Sequence, residues 1–228
     1  MLRSFTFKIL FYFSIILFGI LFLPLLCSES LTRRATSFWA NLVILSLQNI
    51  LKVSINFNNQ SIKKSKGYLI AANHQSIFET IFFLKEFDKV VYIVKKELLY
   101  IPIYGWYVAR LGNIFLNRKE RIKSVRTLNN SVERLIKCGY KVIIFPEGTR
   151  QDYGSIGDIK PGIFLLQKRL KCSVYPIYIN SGYIWPKKGI LKSGEIAVKI
   201  LSPIKKSMNK EKFRIKLKSI LEKQINKY

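Results

Sequence analysis

Between Lys8 and Glu29 the chain carries no charged side chain for twenty consecutive residues, "ILFYFSIILFGILFLPLLCS". As one helix rising ~1.5 Å per residue, such a run crosses the ~30 Å hydrocarbon layer of a bilayer. A signal peptide is the rival reading. The run is longer than a usual signal core, however, and no A-x-A-like cleavage site follows it. Cys27 follows Leu26 rather than a small residue, which argues against lipoprotein processing. A permanent anchor over residues 9–28 is the expectation. A second segment, "SFWANLVILSLQNILKV" (37–53), places Trp39, Leu42, Val43, Leu47, Ile50 and Leu51 at helical spacing, interrupted by Asn41, Gln48 and Asn49. It is expected either to dip into one leaflet beside the first helix or to pack on the domain that follows. Arg3 and Lys8 precede the first segment and Arg33 and Arg34 follow it, so local charge does not orient the anchor.

Past residue 53 short β-rich runs alternate with helical patterns. Strands are predicted at 53–57, 68–72, 90–94, 113–116, 141–145, 174–179 and 196–201, and helices near 77–87, 119–138, 161–169 and 210–225. That alternation predicts an α/β domain with a mixed or mostly parallel sheet flanked by helices, preceded by an N-terminal membrane-associated helical segment. The expected division is 1–52 for the membrane-anchoring helices and 53–228 for the α/β domain. In such sheets ligands gather beyond the carboxyl ends of the strands. "NHQS", "NRKE" and "PEGTR" each directly follow a predicted strand, which points to one shared site.

Thirty-nine Lys and Arg against 13 Asp and Glu leave a formal net charge of +26. A surplus of that size implies polyanionic company, whether nucleic acid, an anionic membrane surface or phosphorylated substrates. Lysine far exceeds arginine and Ile and Asn are abundant, so AT-rich codon usage contributes as well. Cys27, Cys138 and Cys172 are too few and too scattered for a disulfide framework. With a single histidine no common zinc spacing exists, and no metal is expected.

That histidine stands in "NHQSIFET" (73–80), five residues before Glu79. Inside one helix five residues rotate by ~500°, leaving the two side chains ~140° apart. They can meet only if His74 lies in the loop before the helix. "SIFE" (76–79) reads as a capping box, with Ser76 as N-cap and Glu79 at the third helical position, and so starts the helix there. The same pattern gives Glu79 a purely structural job. Capping and catalysis both remain open on these residues alone.

Together, "NHQSIFE", "GNIFLNR" (112–118), "FPEGTR" (145–150) and "VYPIYINSG" (174–182) resemble the four ordered motifs of the glycerolipid acyltransferases, most of all the bacterial 1-acyl-sn-glycerol-3-phosphate acyltransferases. The resemblance spans about residues 65–190, and "KPG" (160–162) and "NSGYIWP" (180–186) suit it. It departs at two places. Glu79 stands where the family usually has Asp, and Asn117 stands where a charged residue often precedes the motif's arginine.

The resemblance implies acyl transfer from acyl-CoA or acyl carrier protein to the sn-2 hydroxyl of a lysophospholipid acceptor, giving phosphatidate, with no cofactor. It also implies a bacterial inner-membrane setting with the active domain on the cytoplasmic face. Histidine suits such a reaction, since its ordinary pKa of ~6.5 lets it accept a hydroxyl proton near neutrality. His74 is then the base and Glu79 the carboxylate that orients it. Arg118 and Arg150, each just beyond a strand, are candidates to bind the acceptor phosphate bidentately, with backbone N–H groups around Gly148 adding donors. Lys96, after strand 90–94, joins that surface. Glu147 is assigned by the resemblance to acceptor binding, orienting an arginine or a glycerol hydroxyl. Asn73 is counted with the binding residues and holds the loop around His74. Pro176 is expected to shape the donor side or a strand edge. Two rivals stand beside this reading. One keeps the chemistry with another acceptor, such as a lyso-ornithine lipid. The other is a non-catalytic, membrane-tethered basic binding protein, for which no nucleic-acid-binding signature is present.

Overall fold

The computed structural model describes residues 1–57, 67–116, 123–205, 209–225 and 227, with the backbone alone for 123–127. Seven strands form one sheet in the order β1-β7-β6-β2-β5-β3-β4. They are β1 (Val53–Phe57), β2 (Tyr68–Ala72), β3 (Val90–Lys95), β4 (Ile114–Leu116), β5 (Lys141–Ile144), β6 (Val174–Ile179) and β7 (Gly194–Ile200). Every neighbouring pair is parallel except β6 with β7. The sheet is therefore mixed and mostly parallel.

Strands buried on both faces need apolar residues at every position, because successive side chains point to opposite sides. β2 meets that requirement, with all five of its residues buried. Its Tyr68, Ile70 and Ala72 join the core under α1 (Leu2–Leu21), α2 (Glu29–Leu51) and α3 (Phe78–Glu86). Its Leu69 and Ala71 join the core under α5 (Lys123–Lys137), α6 (Gly162–Leu170) and α7 (Lys210–Ile225). α7 shows the helical counterpart. Phe213, Leu217 and Leu221, four residues apart, are fully buried among mostly charged positions. Each contributes roughly 1.5–3 kcal/mol by leaving water, and truncating Leu217 to Ala would cost about 2–5 kcal/mol.

The uncharged run does not form one helix. α1 starts at Leu2 and ends at Leu21, and a 3-10 turn follows over Leu23–Cys27. Pro24, near the start of that turn, is the cause, since it has no N–H to give and its ring collides with the carbonyl four residues back. The chain then reverses, and Ser28 caps α2 by accepting the Leu31 N–H at 3.5 Å. α2 settles the second segment by packing on the domain. It buries Val43, Ile44, Leu47 and Leu51 against the sheet and α3.

α1 lies along the domain as well. The Leu191 N–H donates to Ser4 Oγ at 2.9 Å, Lys8 Nζ donates to the Gly189 carbonyl at 2.6 Å, and Tyr107 OH donates to the Gly19 carbonyl at 3.0 Å. Both ends are thus held. Phe7 and Phe11 are buried, while Phe5, Ile9, Tyr12, Phe13, Ile16 and Ile20 are more than half exposed. α1 is the one described helix long and apolar enough to cross a membrane.

One helix was not anticipated from sequence. A 3-10 turn at Lys96–Tyr100 and α4 (Tyr104–Arg110) occupy the stretch between β3 and β4. Seven residues give α4 too few turns for a periodic signal.

Candidate active site

β2, β5, β3 and β6 run in the same direction, so the loops that follow them emerge at one edge of the sheet. Asn73 is the hinge on which the first loop turns. Its Nδ2 donates to the Ile179 carbonyl at 2.8 Å, and its Oδ1 accepts the Ile179 N–H at 2.8 Å. The side chain thereby stands in for one more ladder residue between β2 and β6, just as the main chain leaves the sheet. Asn73 is fully buried with both amide ends engaged on the Ile179 backbone.

His74 follows in the loop, and α3 begins only at Phe78. That offset allows the contact that a continuous helix forbids. His74 Nδ1 lies 3.3 Å from Glu79 Oε2, with the histidine side chain 19% exposed and the carboxylate fully buried. α3 begins at Phe78 with Ile77, not Ser76, at its N-cap, so the expected capping box is shifted by one residue. The carboxylate nonetheless accepts N–H groups at the helix start. The Ser76 N–H reaches both its oxygens at 3.0 Å, the Gln75 N–H reaches Oε1 at 3.1 Å, and Ser76 Oγ accepts the Phe78 N–H at 3.2 Å. Capping and facing the imidazole are therefore not alternatives here. One carboxylate has enough lone pairs for both.

A donor that sequence gave no reason to single out completes the set. Ser181 Oγ, fully buried in the loop after β6, donates to Glu79 Oε1 at 2.5 Å. The imidazole also stacks on Phe145 at the end of β5, with centroids 4.0 Å apart and planes inclined by 17°. With a proton on Nδ1 shared with the carboxylate, Nε2 is the nitrogen left to accept another.

The backbone of residue 74 is fixed from the β5 loop. Glu147 Oε1 accepts the His74 N–H at 2.9 Å, and Glu147 Oε2 accepts the Gly157 N–H at 2.7 Å. The Gln151 N–H donates to the His74 carbonyl at 2.7 Å. Burial pushes the Glu147 carboxyl above the ordinary carboxylate range, against the opposing pull of its two N–H donors. Among the described residues, Glu147 thus faces two backbone donors rather than an arginine. At Gly148 itself the N–H donates to the Phe145 carbonyl at 3.0 Å and closes the turn. The turn needs φ near +72° at Gly148, a region that favours glycine.

Of the expected cations, Arg150 is exposed beside the residue that bonds the His74 carbonyl, and Lys96 is exposed on the turn after β3, at the same edge. Arg118 and Asn117 lie outside the described residues. Pro176 sits inside β6, paired with Ala71 of β2, which makes it part of the sheet. Two serines near His74 are unsuited to nucleophilic attack. Ser76 is 1% exposed with its oxygen on a helix N-terminus, and Ser181 is fully buried with its hydroxyl on Glu79.

Comparison with known proteins gives the following. Residues 54–180 match the family model described as Acyltransferase. The 1-acyl-sn-glycerol-3-phosphate acyltransferase of Pseudomonas aeruginosa is 30% identical over 169 residues, covering 74% of this chain and 66% of that protein. The yeast protein of the same name, from Saccharomyces cerevisiae, is 33% identical over 144 residues, covering 61% of this chain and 48% of that protein. The matched region is thus about half to two thirds of these relatives' own lengths. The crystal structure of the 1-acyl-sn-glycerophosphate (LPA) acyltransferase from Thermotoga maritima superposes with a TM-score of 0.80. At 20% identity it covers 99% of this chain and 96% of that one, a likeness of fold.

Proposed function

The chain belongs to the acyltransferase family, and on that premise we propose that it acylates the sn-2 hydroxyl of 1-acyl-sn-glycerol-3-phosphate, giving phosphatidate. The names of its relatives support the acceptor. The observation that carries the chemistry is the pairing of His74 Nδ1 with the buried Glu79 carboxylate at 3.3 Å. His74 Nε2 takes the proton of the acceptor hydroxyl as its oxygen attacks the thioester carbonyl of acyl-CoA or acyl carrier protein. The C–O bond forms, the tetrahedral intermediate collapses, and the C–S bond breaks. The departing thiolate takes the proton back from the imidazolium. Glu79 fixes the tautomer and stabilises the imidazolium while it lasts, and base catalysis of this kind is worth about 10²–10⁴-fold. The reaction needs no protein nucleophile and no resident cofactor.

Arg150, exposed at the rim beside the His74 backbone, and Arg118 are the groups to which we assign the acceptor phosphate, with Lys96 a further candidate on the same surface. Arg150→Ala should raise the acceptor KM by more than about tenfold, the cost of one charge-assisted bond. A rise in donor KM instead would reassign it. Membrane association is assigned to α1. Bonded to the domain at Ser4, Lys8 and Gly19, it turns a row of apolar side chains outward along its length. Such a helix lies in one leaflet with the site at the interface, where a lysolipid presents its headgroup. The cytoplasmic face of an inner membrane is the side on which acyl-CoA and acyl carrier protein are found.

The test is a donor-by-acceptor panel with purified, detergent-solubilised protein, lipid products being read by mass spectrometry and His74→Ala serving as the control. Phosphatidate from wild type, with less than a few per cent of it from the Ala variant, is the expected result. Product from a lyso-ornithine lipid alone would move the acceptor. No product from any lysolipid would overturn the reading.

A further inference from the structure

We propose that Ser181 is a positioning residue for His74, acting through Glu79; the role rests on the assignment of His74 as the base. Glu79 Oε1 accepts the Ser181 hydroxyl at 2.5 Å and the N–H groups of Gln75 and Ser76 at 3.1 and 3.0 Å. Oε2 accepts the Ser76 N–H at 3.0 Å and faces the imidazole at 3.3 Å. Two of these donors are main-chain groups that belong to the helix start. The Ser181 hydroxyl is a side-chain donor brought from another loop, 102 residues away in sequence, and its distance is the shortest in the set. As the shortest contact it holds Oε1, and so decides which oxygen turns to the ring.

Ser181 is itself held on two sides. Its carbonyl accepts the N–H groups of Ile184 and Trp185 at 3.1 and 2.8 Å, and the Trp185 ring meets Phe7 and Phe11 of α1 edge-on at 5.1 and 5.0 Å. The next residue, Gly182, donates its N–H to Gln75 Oε1 at 3.3 Å, beside the histidine. A Cβ at Gly182 would come within 2.9 Å of the Gln75 Cβ, so the two loops are in contact at that point. α1 therefore supports the turn that carries the hydroxyl, in addition to presenting an apolar face outward.

A hydroxyl that only fills a buried polar gap and one that sets the carboxylate predict different things. Without the bond the carboxylate is free to turn, and the Nδ1···Oε2 contact loosens. The chain has one histidine, so isotope-labelled His gives a single pair of imidazole nitrogen signals by NMR in the full-length protein. In Ser181→Ala, at fixed pH, the Nδ1 signal should shift away from its wild-type position. In Ser181→Thr, which keeps the hydroxyl, it should return toward wild type. In parallel, the Ala variant should lose kcat by about tenfold or more, with both KM values within about threefold, and Thr should recover most of the loss. An Nδ1 signal unmoved in the Ala variant would overturn the proposal, as would a loss carried by KM. Should wild type acylate no lysolipid, the function above fails, while the imidazole signal still decides the role of Ser181.

Discussion

Glu79 and Glu147 are 0% and 2% exposed, both bond to residue 74, and they hold different parts of it. Glu79 faces the imidazole and is served by a hydroxyl and two N–H groups. Glu147 never touches the ring. It spans two backbone N–H donors, one at His74 and one at Gly157, and so ties the β2 loop to the loop after β5. On the proposed function, the contrast is between a carboxylate whose charge acts on a reacting group and one whose two acceptor atoms act as a strap. A negative charge is indispensable to the first role. A second acceptor is indispensable to the other.

Conversion to the amide separates the two roles, and the larger kinetic effect should fall on Glu79. In Glu79→Gln the oxygen can keep the Ser181, Gln75 and Ser76 donors, while the NH₂ turns to His74 Nδ1. An amide donor there forces the ring proton onto Nε2, the nitrogen that must be empty to act as base. Turnover should fall by about two orders of magnitude or more, with the melting temperature within a few degrees of wild type. Near-wild-type turnover would leave Glu79 a cap alone.

Glu147→Gln should show the reverse balance. Both its partners are donors, and an amide can accept from only one of them. The other N–H is left facing an NH₂ group, at a cost of about 1–3 kcal/mol. For a chain of this length that amounts to a fall of roughly 3–10 °C in melting temperature. The kcat should fall by only about tenfold, because the base and its partner remain. A larger kinetic loss than that of Glu79→Gln, at unchanged stability, would break the comparison.

The smallest effect is a pH dependence. Burial raises the Glu147 carboxyl above its ordinary value of 4.5, so as pH falls the folded chain binds this proton before the unfolded chain does. In the window between the raised value and the ordinary one, wild type should gain stability relative to Glu147→Gln. Thermal scans should show the gap in melting temperature widening by about a few degrees as pH falls through that window. A gap that narrows would mean that the folded-state carboxyl is lowered rather than raised.

How far the sequence could be read depended on whether a feature was local. Strand and helix positions came through because alternation and helical spacing are written in neighbouring residues, and all five residues of β2 are buried as its unbroken apolar run requires. The approach of His74 to Glu79 was legible for the same reason, since the helix signal after residue 76 leaves His74 in the preceding loop and the two residues lie five apart, even though α3 starts one residue later than the capping box placed it. Pro24 carried a local signal as well, one that a count of uncharged residues passes over.

The remaining partners of the site have no such signature. Glu147 meets His74 across 73 residues, Asn73 meets Ile179 across 106, and Ser181 meets Glu79 across 102. Each contact exists because β2 lies between β5 and β6, and strand order is not encoded in the periodicity of any one strand. Motif position could place Glu147 and Gly148 at the sheet edge. Only the packed loops decided that the carboxylate turns inward to two N–H groups, since a buried acceptor must find donors and the nearest ones were main-chain. The chain by itself determined which residues reach the edge of the sheet. Tertiary structure decided which of them point at His74, because hydrogen bonds are directional and their partners are supplied by distant strands.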